Sequence, residues 1–511
     1  MHRRDLLIGA AALPLASAFA SLALKDAYAQ TGKPVPFSAS QVRQMARDLA
    51  SKPYKEPDTS LPDSLSKLSY DHYRDLRFIP DKSLWRGTDV PLEIQLFHRG
   101  FLYRNRVNIS LVENGQASQV VYSPDLFTYG RVEPQPENID LGFSGFRIHG
   151  PINRPDYFDE IAVFQGGSYF RAIAKDQIYG LSARGLAIKT ADGSGEEFPA
   201  WRGFWIERPG PNVNSVVVHA LLDSESASAA YRFTIRPGDS TVIDTEMALY
   251  PRTDIDKGGL APLTSMFFFD ANDRMDIDDF RPGVHDSDGL AIWNGRGERL
   301  WRPLINPSTL QISDLYDTNP RGFGLMQRQR EFSDFEDLEA LYEKRPSLWI
   351  EPIGDWGEGA VQLVEIPTKE EIHDNIVAYW RPKEVLRSGG EYLYSYRMHW
   401  CAQNPFMPPE LAIFHKTRSG LVPNDENRRL FVMDAVGGRL KDIPLDDQIR
   451  ASVSTNFGTI EHIVVQPNPE TGGWRVSFRL VPSGEPVVEL RAQLLRGEER
   501  LSEVWVYRWT Q

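Results

Sequence analysis

A single cysteine, Cys401, stands among 511 residues. No intrachain disulfide can therefore staple the fold, and no cysteine-based metal motif exists. Stability must come from core burial, which a chain of this length can supply. After Ala20 no stretch approaches the ~18 consecutive apolar residues that a spanning helix needs. Basic blocks are missing too: 57 Lys and Arg face 70 Asp and Glu, for a net charge of −13. That balance disfavours nucleic acid and anionic membrane as partners and suits neutral substrates. No G-x-S-x-G elbow, H-E-x-x-H helix or Walker loop occurs. The ten histidines scatter without ligand spacing, so no metal or other cofactor is expected.

What is present begins at the N-terminus. Met1-His-Arg-Arg-Asp-Leu-Leu-Ile8 leads into an apolar stretch through Ala20 and then Ala27-Tyr-Ala29. This is the pattern of a twin-arginine export signal over residues 1–29, cleaved before Gln30, which places the mature chain in the periplasm. Its removal takes three basic and two acidic residues and leaves the chain one charge more negative. In an oxidising compartment disulfides are allowed, and this chain still has none available.

Strand patterns dominate the rest of the chain. Leu92, Ile94 and Leu96 alternate, as do Val107, Ile109 and Leu111. Tyr231–Ile235 and Thr241–Thr245 flank Pro237-Gly-Asp-Ser240, a hairpin signal. Val42, Met45, Ala46 and Leu49 give the clearest helical spacing, with Ser40 as the expected N-cap. Residues 308–348, charged and scattered with aromatics, read as a long structured loop. Asn404-Pro-Phe-Met-Pro-Pro-Glu410 interrupts both helix and sheet. The reading is mostly β: a large sandwich over 33–403 and a smaller one over 410–511. Six or seven short strands after residue 410 suggest an immunoglobulin-like arrangement without its disulfide.

Two polar segments carry the chemistry. Arg281-Pro-Gly-Val-His-Asp-Ser-Asp-Gly-Leu290 holds Asp286 and Asp288, and alternation puts both on one side of an extended segment. His373-Asp-Asn-Ile-Val-Ala-Tyr-Trp380 holds Asp374 at the start of a strand. A carboxyl pair flanked by flat aromatic faces is what glycosidic-bond cleavage requires, with one member protonated and the other ionised. On the residues alone, plain turn aspartates are the more common reading of both segments. Trp293, Trp301, Trp349, Trp356 and Trp380 lie between or beside the two and are candidates to stack on sugar rings. Tyr342, Arg328, Arg330 and Arg345 are candidates to bind hydroxyls or orient the carboxylates. Asp270-Ala-Asn-Asp-Arg-Met-Asp-Ile-Asp-Asp279 looks like a calcium loop but has Arg274 and Met275 where such a loop needs an oxygen ligand and glycine.

Several ordered motifs carry a resemblance to a known family. They include Leu263-Thr-Ser-Met-Phe267, the 281–290 segment, Asn319-Pro-Arg-Gly-Phe-Gly324, Phe332-Ser-Asp-Phe-Glu-Asp-Leu338, Arg345-Pro-Ser-Leu-Trp349, Asp374–Trp380, Gly472-Gly-Trp-Arg475 and Leu501-Ser-Glu-Val-Trp505. Together they resemble the periplasmic glucan biosynthesis protein G/D family, grouped as glycoside hydrolase family 186, and the twin arginine favours the D branch. The resemblance implies a galactose mutarotase-like sandwich followed by an immunoglobulin-like one. It also implies inverting, endo-acting hydrolysis or transglycosylation of β-1,2-glucan in making osmoregulated periplasmic glucans. Asp374 matches the family's acid, Asp286 its base, acting through a relay, and Tyr342 a residue at the cleavage point. A noncatalytic glucan-binding assembly protein is the alternative. A membrane glucan synthase and a second copy of the chain are partners left open.

Overall fold

The computed structural model describes residues 31–136, 139–274, 277–444 and 448–510. The export signal therefore lies outside the described residues, as do Met275 and Asp276 of the acidic stretch. Among the described residues the chain is mostly β and rich in sandwich packing, as expected, with two large sheets of ten and sixteen strands.

The ten-stranded sheet starts at the edge strand Gln311–Thr318 and continues through Glu358–Glu365, Ile376–Pro382, Gly258–Ser265, Ser182–Arg184 and Tyr169–Ala172. Alternation decides which face meets the core. Ile376, Ala378 and Trp380 enter one continuous apolar cluster with Phe233, Leu348 and Ile350 of the larger sheet. Val377 and Tyr379 point the other way and close a small cluster with Ala187 and Val364. The expected hairpin is present, with Ile235 opposite Ile243.

Three local expectations shift. The helix runs Ala39–Ala50 and is capped at Ser38, not Ser40, because Gln41 folds back to accept the Ser38 N–H at 2.9 Å. Val42 and Ala46 bury against Leu221, Ala230 and Ala248, while Met45 stays exposed. The supposed loop 308–348 contains two strands, Gln311–Thr318 and Gly322–Met326, before it becomes irregular.

After residue 410, strands Ile413–Val422, Asp425–Val436, Gly473–Val481 and Thr459–Asn468 form a four-stranded sheet. Facing it, Arg450–Thr455, Val487–Arg496 and Val504–Thr510 continue the sixteen-stranded sheet, because Val504 and Trp505 pair in parallel with Leu300 and Trp301. A single apolar cluster spans this seam, uniting Trp301, Trp349 and Cys401 with Phe431, Val476 and Trp505.

Candidate active site

Asp374 and Asp286 are brought together by the short segment Met266–Phe267. On one side, the Asn375 side chain is 2% exposed. It accepts the Phe267 N–H at 2.8 Å and donates to the Phe267 carbonyl at 3.0 Å and the Ile366 carbonyl at 3.0 Å. That clamp fixes the residue before it, Asp374, at the mouth of the strand Ile376–Pro382. On the other side, the Asp286 N–H donates to the Met266 carbonyl at 2.8 Å, just beyond the strand Val284–His285. One dipeptide thus carries both carboxyl segments.

Arg171 joins the two electrostatically. It stands on the strand Tyr169–Ala172, donates from Nε to Ser182 Oγ at 2.7 Å, and brings Nη2 to 3.8 Å from Asp374 Oδ2. Its charge also acts on Asp286. The two carboxyls differ in setting: Asp374 keeps 35% of its side-chain surface open, whereas Asp286 is 4% exposed. Burial pushes Asp286 above the usual carboxylate range; Arg345 opposes this most strongly, and the charge of Asp374 adds to the rise.

Arg345 donates directly to Asp286 Oδ1 and to the Ala340 carbonyl, and its guanidinium lies 4.2 Å from the centre of the Tyr342 ring. Tyr342 in turn donates its hydroxyl to Glu371 Oε2 at 3.0 Å. Burial, with Glu371 and Asp286 nearby, holds that phenol well above its ordinary range. Glu371 is gripped by Arg281 at 2.8 Å, and the same guanidinium takes Asp337 at 2.8 Å and Asp279 at 2.7 Å. These pairs tie three separate segments into one knot around the carboxyls. Beyond Arg171 the same face of the sheet carries Arg184, held by Thr264 and Glu196 and lying 4.8 Å from the Tyr169 ring centre.

The tryptophan expectation needs correction. Trp349 and Trp380 are fully buried and Trp356 is 4% exposed, so none offers a ring face to a sugar. The indole of Trp349 lies where a Cβ on Gly322 would be, and that of Trp380 where one on Gly359 would be. Both glycines act as flat seats for core rings. Trp301 is likewise buried, under the Arg328 guanidinium at 3.4 Å. Trp293 is half-buried, with Arg299 at 3.5 Å and Arg321 at 5.4 Å from its centre, at the far end of its strand from Asp286.

Arg328 and Arg330 are committed elsewhere. Arg328 forms a two-pronged pair with Glu503 at 2.6 and 2.8 Å, and Arg330 donates to the Glu343, Arg345 and Ala402 carbonyls. Asp288 does not share the surroundings of Asp286: its Oδ2 accepts the N–H groups of Arg328 and Gln329 at 3.0 and 3.2 Å. Several side chains of the acidic stretch are committed as well. Asp270 accepts from Gln329, Asn272 bonds Thr417 and Ser419, and Asp279 pairs with Arg281. Among the described residues, no group of three or more His, Cys, Asp or Glu side chains is arranged to hold a metal. Arg171, Tyr169 and Asn375 escaped sequence reasoning, since each owes its place to strand pairing across distant segments.

Fold and site define a β-sandwich-rich protein with one buried and one open carboxyl converging beneath an arginine. The chain belongs to the periplasmic glucan biosynthesis protein family MdoG, whose profile matches residues 37–509. It is 57% identical to glucans biosynthesis protein G of Rhodopseudomonas palustris strain BisA53, with all of both chains covered. It is 55% identical to the protein of that name from Bradyrhizobium diazoefficiens, again over both whole chains. The Vibrio cholerae protein is 52% identical, covering 94% of this chain and 88% of the relative. The twin-arginine start favoured the D branch, whereas these relatives carry the name protein G. The family's name places its members in the periplasm and in glucan biosynthesis. No helix among the described residues is long and apolar enough to cross a membrane.

Proposed function

We propose that this chain is a periplasmic, endo-acting β-1,2-glucan hydrolase or transglycosidase of inverting type, in which Asp374 is the acid and Asp286 the base. The observation that supports the reading best is the pinning of both carboxyls to Met266–Phe267, one open and one buried. Asp374 gives its proton to the glycosidic oxygen as the bond from that oxygen to the anomeric carbon breaks. The nucleophile, water or a sugar hydroxyl, forms the new bond from the opposite face, and its proton ends on Asp286. Because Asp286 is buried, that proton reaches it through a relay rather than by direct contact. Arg345 donates to Asp286 and so opposes the effect of burial on it, and it stacks on Tyr342, which is itself buried and donates its hydroxyl to Glu371.

The test is chain-length analysis by mass spectrometry after incubation of linear β-1,2-glucan with wild type, Asp374→Asn and Asp286→Asn. Each substitution should lower the rate by roughly 10²–10⁴-fold while glucan binding is retained. An Asp374→Asn protein that cleaves like wild type refutes the assignment. Tight binding by wild type with unchanged chain lengths would favour the noncatalytic assembly role.

A further inference from the structure

A groove of about 960 Å³ lies at the other end of the strand that Asp374 heads, beside Arg381, Pro382 and Lys383. Strand Ile376–Pro382 has seven residues, so the groove sits about 24 Å from the carboxyl pair at the usual rise per residue. Val377 and Tyr379 between them are buried, which separates the two places. Tyr316 stands at the groove on the edge strand Gln311–Thr318 and is 83% exposed. The apolar part of the lining comes from Leu300, Leu315, Ala360 and Val506, the last contributed by the C-terminal strand.

Arg296 apart, the basic groups of the groove are already paired. Glu298 meets Arg491 at 2.6 Å, Glu358 meets Lys383 at 2.5 Å, and Arg381 meets Asp314 at 3.5 Å. The Thr318 hydroxyl and the Arg296 guanidinium remain uncommitted among the described residues. An open aromatic face, an apolar floor, mostly paired charges and donors free at Thr318 and Arg296 together suit a hydroxyl-rich ligand with alternating C–H faces. The edge strand itself is not free to add another strand, since Arg508 takes the Ile312 carbonyl and Asp317 folds onto the Gly295 N–H.

We infer that the Tyr316 groove is a second carbohydrate-binding site, which holds a distant stretch of the same glucan chain that the carboxyl pair engages. The inference rests on the proposed β-1,2-glucan substrate. A chain long enough to occupy both places binds as a bivalent ligand, whereas a short one gains nothing.

The test uses the full-length protein and linear β-1,2-gluco-oligosaccharides too short to span the two places. Calorimetric titration in an Asp374→Asn background should give two equivalents per chain. Adding Tyr316→Ala should leave one, and Tyr316→Phe should keep two. In the otherwise unaltered protein, Tyr316→Ala should raise KM for long glucan at least tenfold and leave kcat/KM for short oligosaccharides unchanged. A single equivalent in the background protein, or the same stoichiometry with and without Tyr316→Ala, overturns the second site while cleavage by wild type leaves the catalytic reading intact. Neither binding nor cleavage of β-1,2-glucan by wild type would sink both.

Discussion

Asp288 sits two residues from the proposed base and has a different task. Its Oδ2 accepts two backbone N–H groups, but its Oδ1 is buried without a partner. Burial raises it from the ordinary 3.8 to about 7, against the pull of Arg328 and those N–H groups. The folded chain thus holds a proton that the unfolded chain releases between about pH 4 and pH 7, so stability falls as pH rises through that window. The effect is at most on the order of 4 kcal/mol. Asparagine mimics the protonated acid and places its amide where Oδ1 lacks a partner. Asp288→Asn should therefore gain stability over wild type as pH rises from 4 to 7, and hold that gain above 7. Urea unfolding of both proteins across this range checks it; a difference independent of pH would rule the account out. At this scale the sequence was partly legible. Polar loops beside strands marked 286 and 374 as candidates, but nothing local told Trp349 and Trp380 from surface rings, because their burial depends on glycines 322 and 359 opposite them.

Among the elements, the hairpin at Pro237–Ser240 was plain because turn residues separate two alternating runs. The strand Gln311–Thr318 was not. It is a half-solvated edge whose Asp314 and Asp317 break the apolar rhythm, and its pairing with Glu358–Glu365 is a long-range fact. The same limit hid the seam between Arg299–Pro303 and Val504–Thr510. There Glu503 is 2% exposed and receives Arg328 on both oxygens and the Phe414 N–H at 2.8 Å. Breaking a buried pair from one side leaves the other charge stranded, at a typical cost of 3–5 kcal/mol. Glu503→Gln should destabilise the protein by roughly that amount. Arg328→Met combined with Glu503→Gln should cost clearly less than the two single changes added. Denaturant titration of the four proteins reads the coupling, and simple additivity would show that the pair is not acting as a unit.

The whole molecule has no disulfide to join its parts, and Cys401 is buried within the shared apolar cluster. Continuity is provided instead by the backbone pairing of Leu300 and Trp301 with Val504 and Trp505, so the last strand completes a sheet begun by the larger part. Asn272 reaches across to Thr417 and Ser419, and Trp505 Nε1 donates to Thr417 Oγ1 at 3.0 Å. Opening the seam would expose Trp301, Trp349 and Trp505 together and strip partners from Arg328 and Glu503. Neither part can then unfold without removing apolar cover and hydrogen bonds from the other, the condition for one cooperative transition. Scanning calorimetry should show a single endotherm, unmoved by reductant, and residues 410–511 made alone should lack a sharp transition. Two well-separated endotherms, or a cooperative unfolding of the isolated C-terminal piece, would mean that the seam is a contact between independent bodies. The Val506 wall of the Tyr316 groove would then belong to a joint that can open.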